Sequence, residues 1–93
     1  MIRVRLFAAL RELADTGELT VSGRSVGEVV DAVIAAVPPD HAGRFAQIAA
    51  VSSFVVNGER ATRHAPVAQG DEVAILPPVS GGSSGRSSRN AAR

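Results

Sequence analysis

The segment Gly70-Asp71-Glu72-Val73-Ala74-Ile75-Leu76-Pro77-Pro78-Val79-Ser80-Gly81-Gly82 runs from a turn, through a strand, into a diglycine. Gly-Asp is a turn signal, and the apolar residues after it predict a strand over 72–76. Because proline cannot donate a backbone hydrogen bond, Pro77-Pro78 ends the strand and favours a stiff, extended exit. Two glycines on such an exit suit a terminal carboxylate that must enter a narrow channel, since neither has a side chain. Residues 83–93 follow, so that carboxylate arises only after cleavage behind Gly82.

The remainder of the chain has the pattern of a small α+β domain. The alternation of apolar and polar residues predicts strands over 1–8, 18–22 and 53–57, and a short helix from Ala8 to Ala14. Asn57-Gly58 is a turn signal directly after the third of these strands.

The main helix is predicted to begin at Ser25 and to end before Pro38-Pro39. Ser25 and Glu28 have the spacing of a capping box, in which the hydroxyl and the carboxylate each bind a free backbone N–H of the first turn. Apolar residues then recur on one helical face, which we expect to be buried: Val26, Val29, Val30, Val33, Ile34 and Val37.

The order strand, strand, helix, strand, strand favours a small mixed sheet with one main helix packed across it. Residues 40–50 are predicted to be weakly helical, and residues 59–69 irregular. If the first and last strands are neighbours, the chain leaves the domain from the centre of the sheet. We predict one domain over residues 1–82. Residues 83–93 have no apolar periodicity and are predicted to be disordered.

Composition excludes several classes of function. The chain has no cysteine, and all ten of its basic residues are arginine, so it offers neither a thiol nucleophile nor a lysine acceptor. Residues 1–82 hold seven arginines and nine acidic residues, a net charge of −2, and the three arginines of 83–93 account for the basic balance. A slightly acidic domain argues against binding nucleic acid. With no signal peptide and no apolar run long enough for a membrane, a cytoplasmic protein is expected.

No side chain has the setting of a catalytic group. Asp71 and Glu72 are neighbours in the sequence, so in a strand they point to opposite faces and cannot act as an acid–base pair; charge complementarity with a partner is the better role for one of them. His41 and His64 are the only histidines, and surface positions are more common for such residues than metal sites. We predict no bound metal and no bound cofactor.

Three segments together resemble the MoaD/ThiS family of ubiquitin-like sulfur carriers. The ending Gly70 to Gly82 resembles the family's C-terminal signature, and its Pro-Pro-Val-Ser-Gly-Gly is closest to the MoaD branch, the small subunit of molybdopterin synthase. Residues 4–13 (Val-Arg-Leu-Phe-Ala-Ala-Leu-Arg-Glu-Leu) are similar to the family's first strand and short helix, and residues 56–58 (Val-Asn-Gly) to the strand before its last loop.

The resemblance implies a β-grasp fold and a carrier that is not an enzyme. An E1-like enzyme would adenylate the Gly82 carboxylate with ATP, and sulfur would replace AMP to give a thiocarboxylate. That group would donate sulfur to a precursor on a partner, the large subunit of molybdopterin synthase in the MoaD branch. Partners would recognise the tail residues Pro77, Pro78, Val79, Ser80 and Gly81.

The resemblance also gives two candidates for the partner interface, Phe7 and Leu76. Ordinary core packing is an equally good interpretation of both. Arg60 is predicted to lie in a loop where related carriers have an apolar contact, so the partner's identity is open at that position.

The segment 83–93 departs from the family, most members of which end at Gly-Gly. It is either an extension removed by a metalloprotease, a remnant of cloning, or the mark of a carrier that has lost its chemistry. Two alternatives to a molybdopterin carrier therefore remain. One is a carrier serving thiamine, cysteine or a secondary metabolite after proteolytic maturation, and the other is a β-grasp adaptor in which Gly-Gly is only a linker.

Overall fold

The computed structural model describes residues 1–78, which form a mixed five-stranded sheet in the order β2-β1-β5-β3-β4 with three helices. The elements in chain order are β1 (Ile2–Leu6), α1 (Ala8–Ala14), β2 (Glu18–Val21), α2 (Val26–Ala36), α3 (Pro39–Ala50), β3 (Ser53–Val56), β4 (Glu59–Ala61) and β5 (Glu72–Leu76). The predictions for 79–82 and 83–93 lie outside the described residues.

The first and last strands are neighbours, an arrangement that the order of elements allows. β1 pairs with β5 in parallel, with Leu6 opposite Ile75, and with β2 in antiparallel orientation. β3 lies antiparallel on the other side of β5, so β5 is the central strand. Beyond Leu76 the chain therefore leaves from a strand that is held on both sides.

The N-terminus of α2 is capped as the sequence predicts, with one difference. The Ser25 hydroxyl accepts a hydrogen bond from the Glu28 backbone N–H at 3.2 Å. The Glu28 carboxylate accepts its bond from the Arg24 backbone N–H at 3.0 Å, one residue further back than a capping box requires. Two backbone N–H groups at this end are thus satisfied by side chains.

One hydrophobic core fills the space between the sheet and the helices. Val26, Val29, Val30 and Val33 of α2 are buried in it, whereas Ile34 is only half-buried at the margin of the core. Full burial of Ile34 was therefore the wrong expectation. The other buried apolar residues include Ile2, Val4, Leu6, Leu10, Phe45, Ala49, Phe54, Val73 and Ile75.

Two elements are better formed than the sequence pattern suggests. α3 is a full helix of 12 residues that begins at Pro39, where a missing N–H costs nothing because first-turn donors have no partner in the helix. The predicted irregular segment 59–69 contains β4. Asn57 and Gly58 both have positive φ, 50° and 87°, and this tight turn returns the chain along β3.

Candidate functional site

The sheet has two unlike faces, and the one without helices is the candidate site. Along β1 the residues alternate between buried and exposed, and the buried ones face the helices. The opposite side, here called the open face, presents the outward residues of each strand, and no helix in residues 1–78 covers it. The outward residues are Glu18, Thr20, Arg3, Arg5, Glu72, Ala74, Leu76, Ser53, Val55 and Arg60.

Strand register places one row of five side chains across the whole open face. Glu18 lies opposite Arg5, Arg5 opposite Ala74, Ala74 opposite Val55, and Val55 opposite Arg60. The middle of this row is apolar and its flanks are charged. Such an arrangement, an apolar centre with a polar rim, is typical of protein–protein interfaces.

The two predicted interface residues lie at the same end of the open face. Phe7 directly follows β1 and Leu76 ends β5; because these strands are parallel, both residues lie at the same edge of the sheet. Both are half-buried, and neither belongs to the hydrophobic core or to the partly buried residues packed against it. Phe7 and Leu76 are thus partly exposed apolar residues, as expected of an apolar patch on the surface. They are called the apolar patch below.

The backbone at Phe7 turns sharply. Phe7 itself is extended, and Ala8 has a φ of 54°, a left-handed conformation that costs a non-glycine residue about 1–2 kcal/mol. Backbone strain of this kind persists where the surroundings fix it, often at functional sites. The guanidinium of Arg5 lies 5.6 Å from the centroid of the Phe7 ring, which holds the ring at the edge of the open face.

Charged side chains surround the apolar patch. Glu18 and Glu72 both lie near Arg3, with Nε–Oε2 at 3.4 Å and Nη1–Oε2 at 3.8 Å, and Glu72 also lies 3.9 Å from Arg5. These ion pairs are exposed and stabilise the fold little. Arg60 differs from the other two arginines, because it has no carboxylate within 4 Å in the described part of the chain.

The exit of the tail adjoins this patch. Pro77 is half-buried and Pro78 is exposed. The remaining predicted site residues, Val79, Ser80, Gly81 and Gly82, lie outside the described residues. Residues 79–82 can span at most about 14 Å, so the Gly82 carbonyl can react only within that distance of Pro78.

Asp71 and Glu72 have separate roles, as their adjacency predicts. Glu72 faces the arginines of the open face, whereas Asp71 accepts hydrogen bonds from the Asn57 side chain and the Ala68 backbone. The bond from Asn57 has the largest effect, and together the two bonds lower the pKa of Asp71 below its ordinary value of 3.8. Asp71 is thus a structural carboxylate.

Residues 1–78 hold no cluster of three or more His, Cys, Asp or Glu side chains that could bind a metal ion. The imidazole Nδ1 of His41 lies 3.0 Å from the Leu13 carbonyl oxygen, which ties α3 to α1. Over the same residues, none of the helices combines the length and apolar character needed to cross a membrane.

Sequence reasoning missed two members of the site, Val55 and Ala74. Both point outward from short apolar strands, and the alternation of inward and outward residues along those strands is the signal that could have identified them. Arg60 was named as a position that a partner contacts, but it was wrongly placed in a loop, and it lies in β4. The face to which it points follows from the Asn57-Gly58 turn, which fixes the β3–β4 register.

The sheet is mixed, with the first and last strands parallel at its centre and helices on one face. This arrangement is that of a ubiquitin-like β-grasp domain, and known structures match it. The chain matches the family described as ThiS over residues 4–82. It therefore belongs to the MoaD/ThiS family of ubiquitin-like sulfur carriers, small proteins that are not themselves enzymes.

Particular relatives span most of the chain. The molybdopterin synthase sulfur carrier subunit of Arabidopsis thaliana is 37% identical over 87 residues, with 87% of this chain and 82% of the relative covered. Small archaeal modifier protein 1 of Haloferax volcanii is 37% identical over 84 residues, covering 84% and 97%. Its crystal structure superposes with a TM-score of 0.68, covering 86% and 97%.

A further structure shows a relative together with another protein. A chain in the crystal structure of the Amycolatopsis orientalis BexX/CysO complex is 26% identical, with a TM-score of 0.70 and coverage of 87% of this chain and 99% of that one.

Proposed function

We propose that this protein carries sulfur as a C-terminal thiocarboxylate on Gly82 and donates it in molybdopterin biosynthesis. Removal of residues 83–93 would come first, then adenylation by an E1-like enzyme. The observation that carries the proposal is the extent of the family match, which begins at Val4 and ends at Gly82. The diglycine is therefore the last part of the chain that the family shares.

Each step of the proposed chemistry uses only the main-chain carbonyl of Gly82. A protease, for which a metalloprotease is our candidate, hydrolyses the Gly82–Ser83 amide and frees the carboxylate. A carboxylate oxygen attacks the α-phosphorus of ATP and pyrophosphate leaves. Sulfide then attacks the acyl carbon of the adenylate and AMP leaves, which gives the thiocarboxylate. A chain without cysteine or lysine suffices for this sequence.

The open face supports the proposal because a carrier without catalytic side chains must be held by its partners. Phe7 and Leu76 provide apolar contacts at the edge from which the tail leaves, and Pro77 and Pro78 would direct that tail into the partner's channel. We propose that both the E1-like enzyme and the sulfur-accepting subunit dock here. The complex that contains the Amycolatopsis relative is consistent with such docking.

The test compares three purified proteins: the full chain, a chain ending at Gly82, and that shorter chain with Gly82→Ala. Each is mixed with the E1-like enzyme of the same genome, ATP and sulfide, and its intact mass is measured. We expect only the chain ending at Gly82 to exchange one oxygen for sulfur, because the full chain has an amide at that carbonyl. Modification of the full chain at Arg93 to the same extent would contradict the maturation step.

The choice of pathway rests on the Arabidopsis relative, whose name states molybdopterin synthase. The extension 83–93 favours a second candidate, a carrier for thiamine, cysteine or a secondary metabolite that is matured by proteolysis. Incubating the thiocarboxylate with the large subunit of molybdopterin synthase and its precursor distinguishes them. Loss of the added sulfur mass in that mixture supports the first. An adaptor without sulfur chemistry gains no mass in either experiment.

A further inference from the structure

Among the arginines of the open face, Arg60 is the one without a carboxylate within 4 Å in residues 1–78. This inference rests on the proposed function, since it assumes that partners dock on this face. We propose that the surface of the E1-like enzyme that covers β4 carries a carboxylate opposite Arg60, and that this ion pair distinguishes the carrier's own enzyme from other proteins with a similar apolar surface.

Arg60 lies within reach of any protein that covers Val55 and Ala74, the apolar centre of the open face. It lies opposite Val55 and in the same row as Ala74 and Arg5. Neighbouring strands are about 4.8 Å apart, so the Arg60 backbone lies only about 10 Å from the central strand. A partner that contacts Val55 and Ala74 therefore also covers, or borders directly on, the Arg60 guanidinium.

Among the three arginines of the open face, only Arg60 lacks a carboxylate partner within the described residues and so requires an external acid. Glu18 and Glu72 already lie within 4 Å of Arg3 or Arg5, so those charges are balanced within the carrier. The Arg60 guanidinium has no such neighbour among residues 1–78. Covering an unpaired guanidinium removes its hydration without compensation, which disfavours the complex.

A carboxylate is the group that best compensates this loss. The planar guanidinium can donate two parallel hydrogen bonds to both oxygens of one carboxylate, which gives the pair a defined geometry. A partner with an apolar side chain at that point leaves the charge unpaired and is disfavoured. Arg60 thus adds specificity to the contacts of Phe7 and Leu76, which any apolar surface could satisfy.

The experiment uses chains ending at Gly82 with Arg60→Glu, Arg60→Gln or no change. The measurement is the KM for the carrier, with kcat, in adenylation by the E1-like enzyme of the same genome, at low and at high salt. Arg44→Glu is the matched control, because Arg44 is an exposed arginine of α3, on the helical side of the sheet. Circular dichroism melts check that all variants fold.

We expect Arg60→Glu to raise KM by about tenfold to a hundredfold, as expected for breaking a covered charge pair, with kcat nearly unchanged. Arg60→Gln should raise it less, and Arg44→Glu should leave it close to that of the unsubstituted chain. Replacing one surface Asp or Glu of the enzyme by Arg should restore the KM of Arg60→Glu. Rescue by a single reversed charge identifies the paired carboxylate.

Two results overturn the inference. If Arg60→Glu and Arg44→Glu have the same small effect, the partner does not pair with Arg60. If sedimentation shows that the chain dimerises and that Arg60→Glu makes it monomeric, the face binds a second copy. Both results leave the gain of sulfur mass intact. By contrast, failure of the proposed function appears as no mass gain by the unsubstituted chain even at saturating concentration, and it removes this inference too.

Discussion

The side-chain amide of Asn57 donates a hydrogen bond to Asp71 Oδ1 at 3.0 Å and joins the β3–β4 turn to the loop before β5. Its carbonyl oxygen accepts a bond from the Glu72 N–H at 3.0 Å, and Asp71 Oδ2 accepts one from Ala68 N–H at 2.8 Å. Asn57 also suits this position because asparagine tolerates the left-handed conformation. The start of the central strand is therefore fixed by two side chains 14 residues apart.

The first prediction concerns acid stability. Because the folded-state pKa of Asp71 is lowered, its ionised form stabilises the fold at pH values above its unfolded pKa. This contribution is lost as the pH falls from the ordinary 3.8 through the lower folded value. We expect Asp71→Asn to be less stable than the unsubstituted chain at neutral pH, and the gap to close in that acid range. Urea denaturation as a function of pH measures the gap.

Asp31→Asn is the control for this experiment, because Asp31 is exposed and has only a long contact of 3.9 Å with Arg63. Its stability should follow that of the unsubstituted chain across the same range. A gap for Asp71→Asn that stays constant down to the lowest pH would show that the lost hydrogen-bond geometry, and not ionisation, explains the difference.

The second prediction contrasts two glycines. A Cβ at Gly23 would lie 2.9 Å from Val29 Cγ2 and 3.0 Å from Val29 N, whereas nothing lies within 4 Å of a Cβ at Gly43. Overpacking of this kind costs about 1–3 kcal/mol, so Gly23→Ala should lower the free energy of unfolding by that amount. Gly43→Ala lies inside α3 and should raise it by about 0.5–1 kcal/mol. Chemical denaturation measures both free energies of unfolding, and the prediction requires that the two substitutions change them in opposite directions.

The third prediction concerns the apolar face of α2. Val30 and Val33 are 2% and 0% exposed, and each should lose about 1–4 kcal/mol of stability on change to alanine. Ile34→Ala should lose less than either, although isoleucine is the larger residue, because Ile34 lies at the margin of the core. Equal losses at Val33 and Ile34 in denaturant titrations would mean that the helix is rotated relative to this structure.

Local signals explain how much of the fold could be predicted. The strand 72–76 and the capped helix after Ser25 each have an apolar periodicity and residues that mark their ends. Both elements could therefore be predicted from the sequence. β4 has no such pattern, because its three residues become a strand only by pairing with β3. The same limit applies to the site. Phe7 and Leu76 came from the resemblance, whereas the face to which Arg60 points depends on the β3–β4 register, for which the Asn57-Gly58 turn is the only local signal.

The fourth prediction concerns the extension. Residues 83–93 lack apolar periodicity, and the pattern of a complete domain precedes them, so we expect them to contribute nothing to folding. Thermal melts of the full chain and of the chain ending at Gly82 should nearly coincide. A large fall in melting temperature on truncation would mean that the extension packs on the domain, and the proposed boundary at Gly82 would then be wrong.

The last prediction separates the two interpretations of Phe7 and Leu76. If they are interface residues, Phe7→Ser and Leu76→Ser should weaken binding of the E1-like enzyme by about tenfold or more, as apolar anchors do. Their effect on stability should be small, because both are half-buried and outside the core. Leu10→Ala is the matched control for core packing: Leu10 is fully buried in α1, and its truncation should cost about 2–5 kcal/mol. Calorimetric titration and denaturation of the same samples give both quantities. If Phe7→Ser destabilises the chain as much as Leu10→Ala does, Phe7 is a core residue, and the edge of the open face loses one of its two anchors.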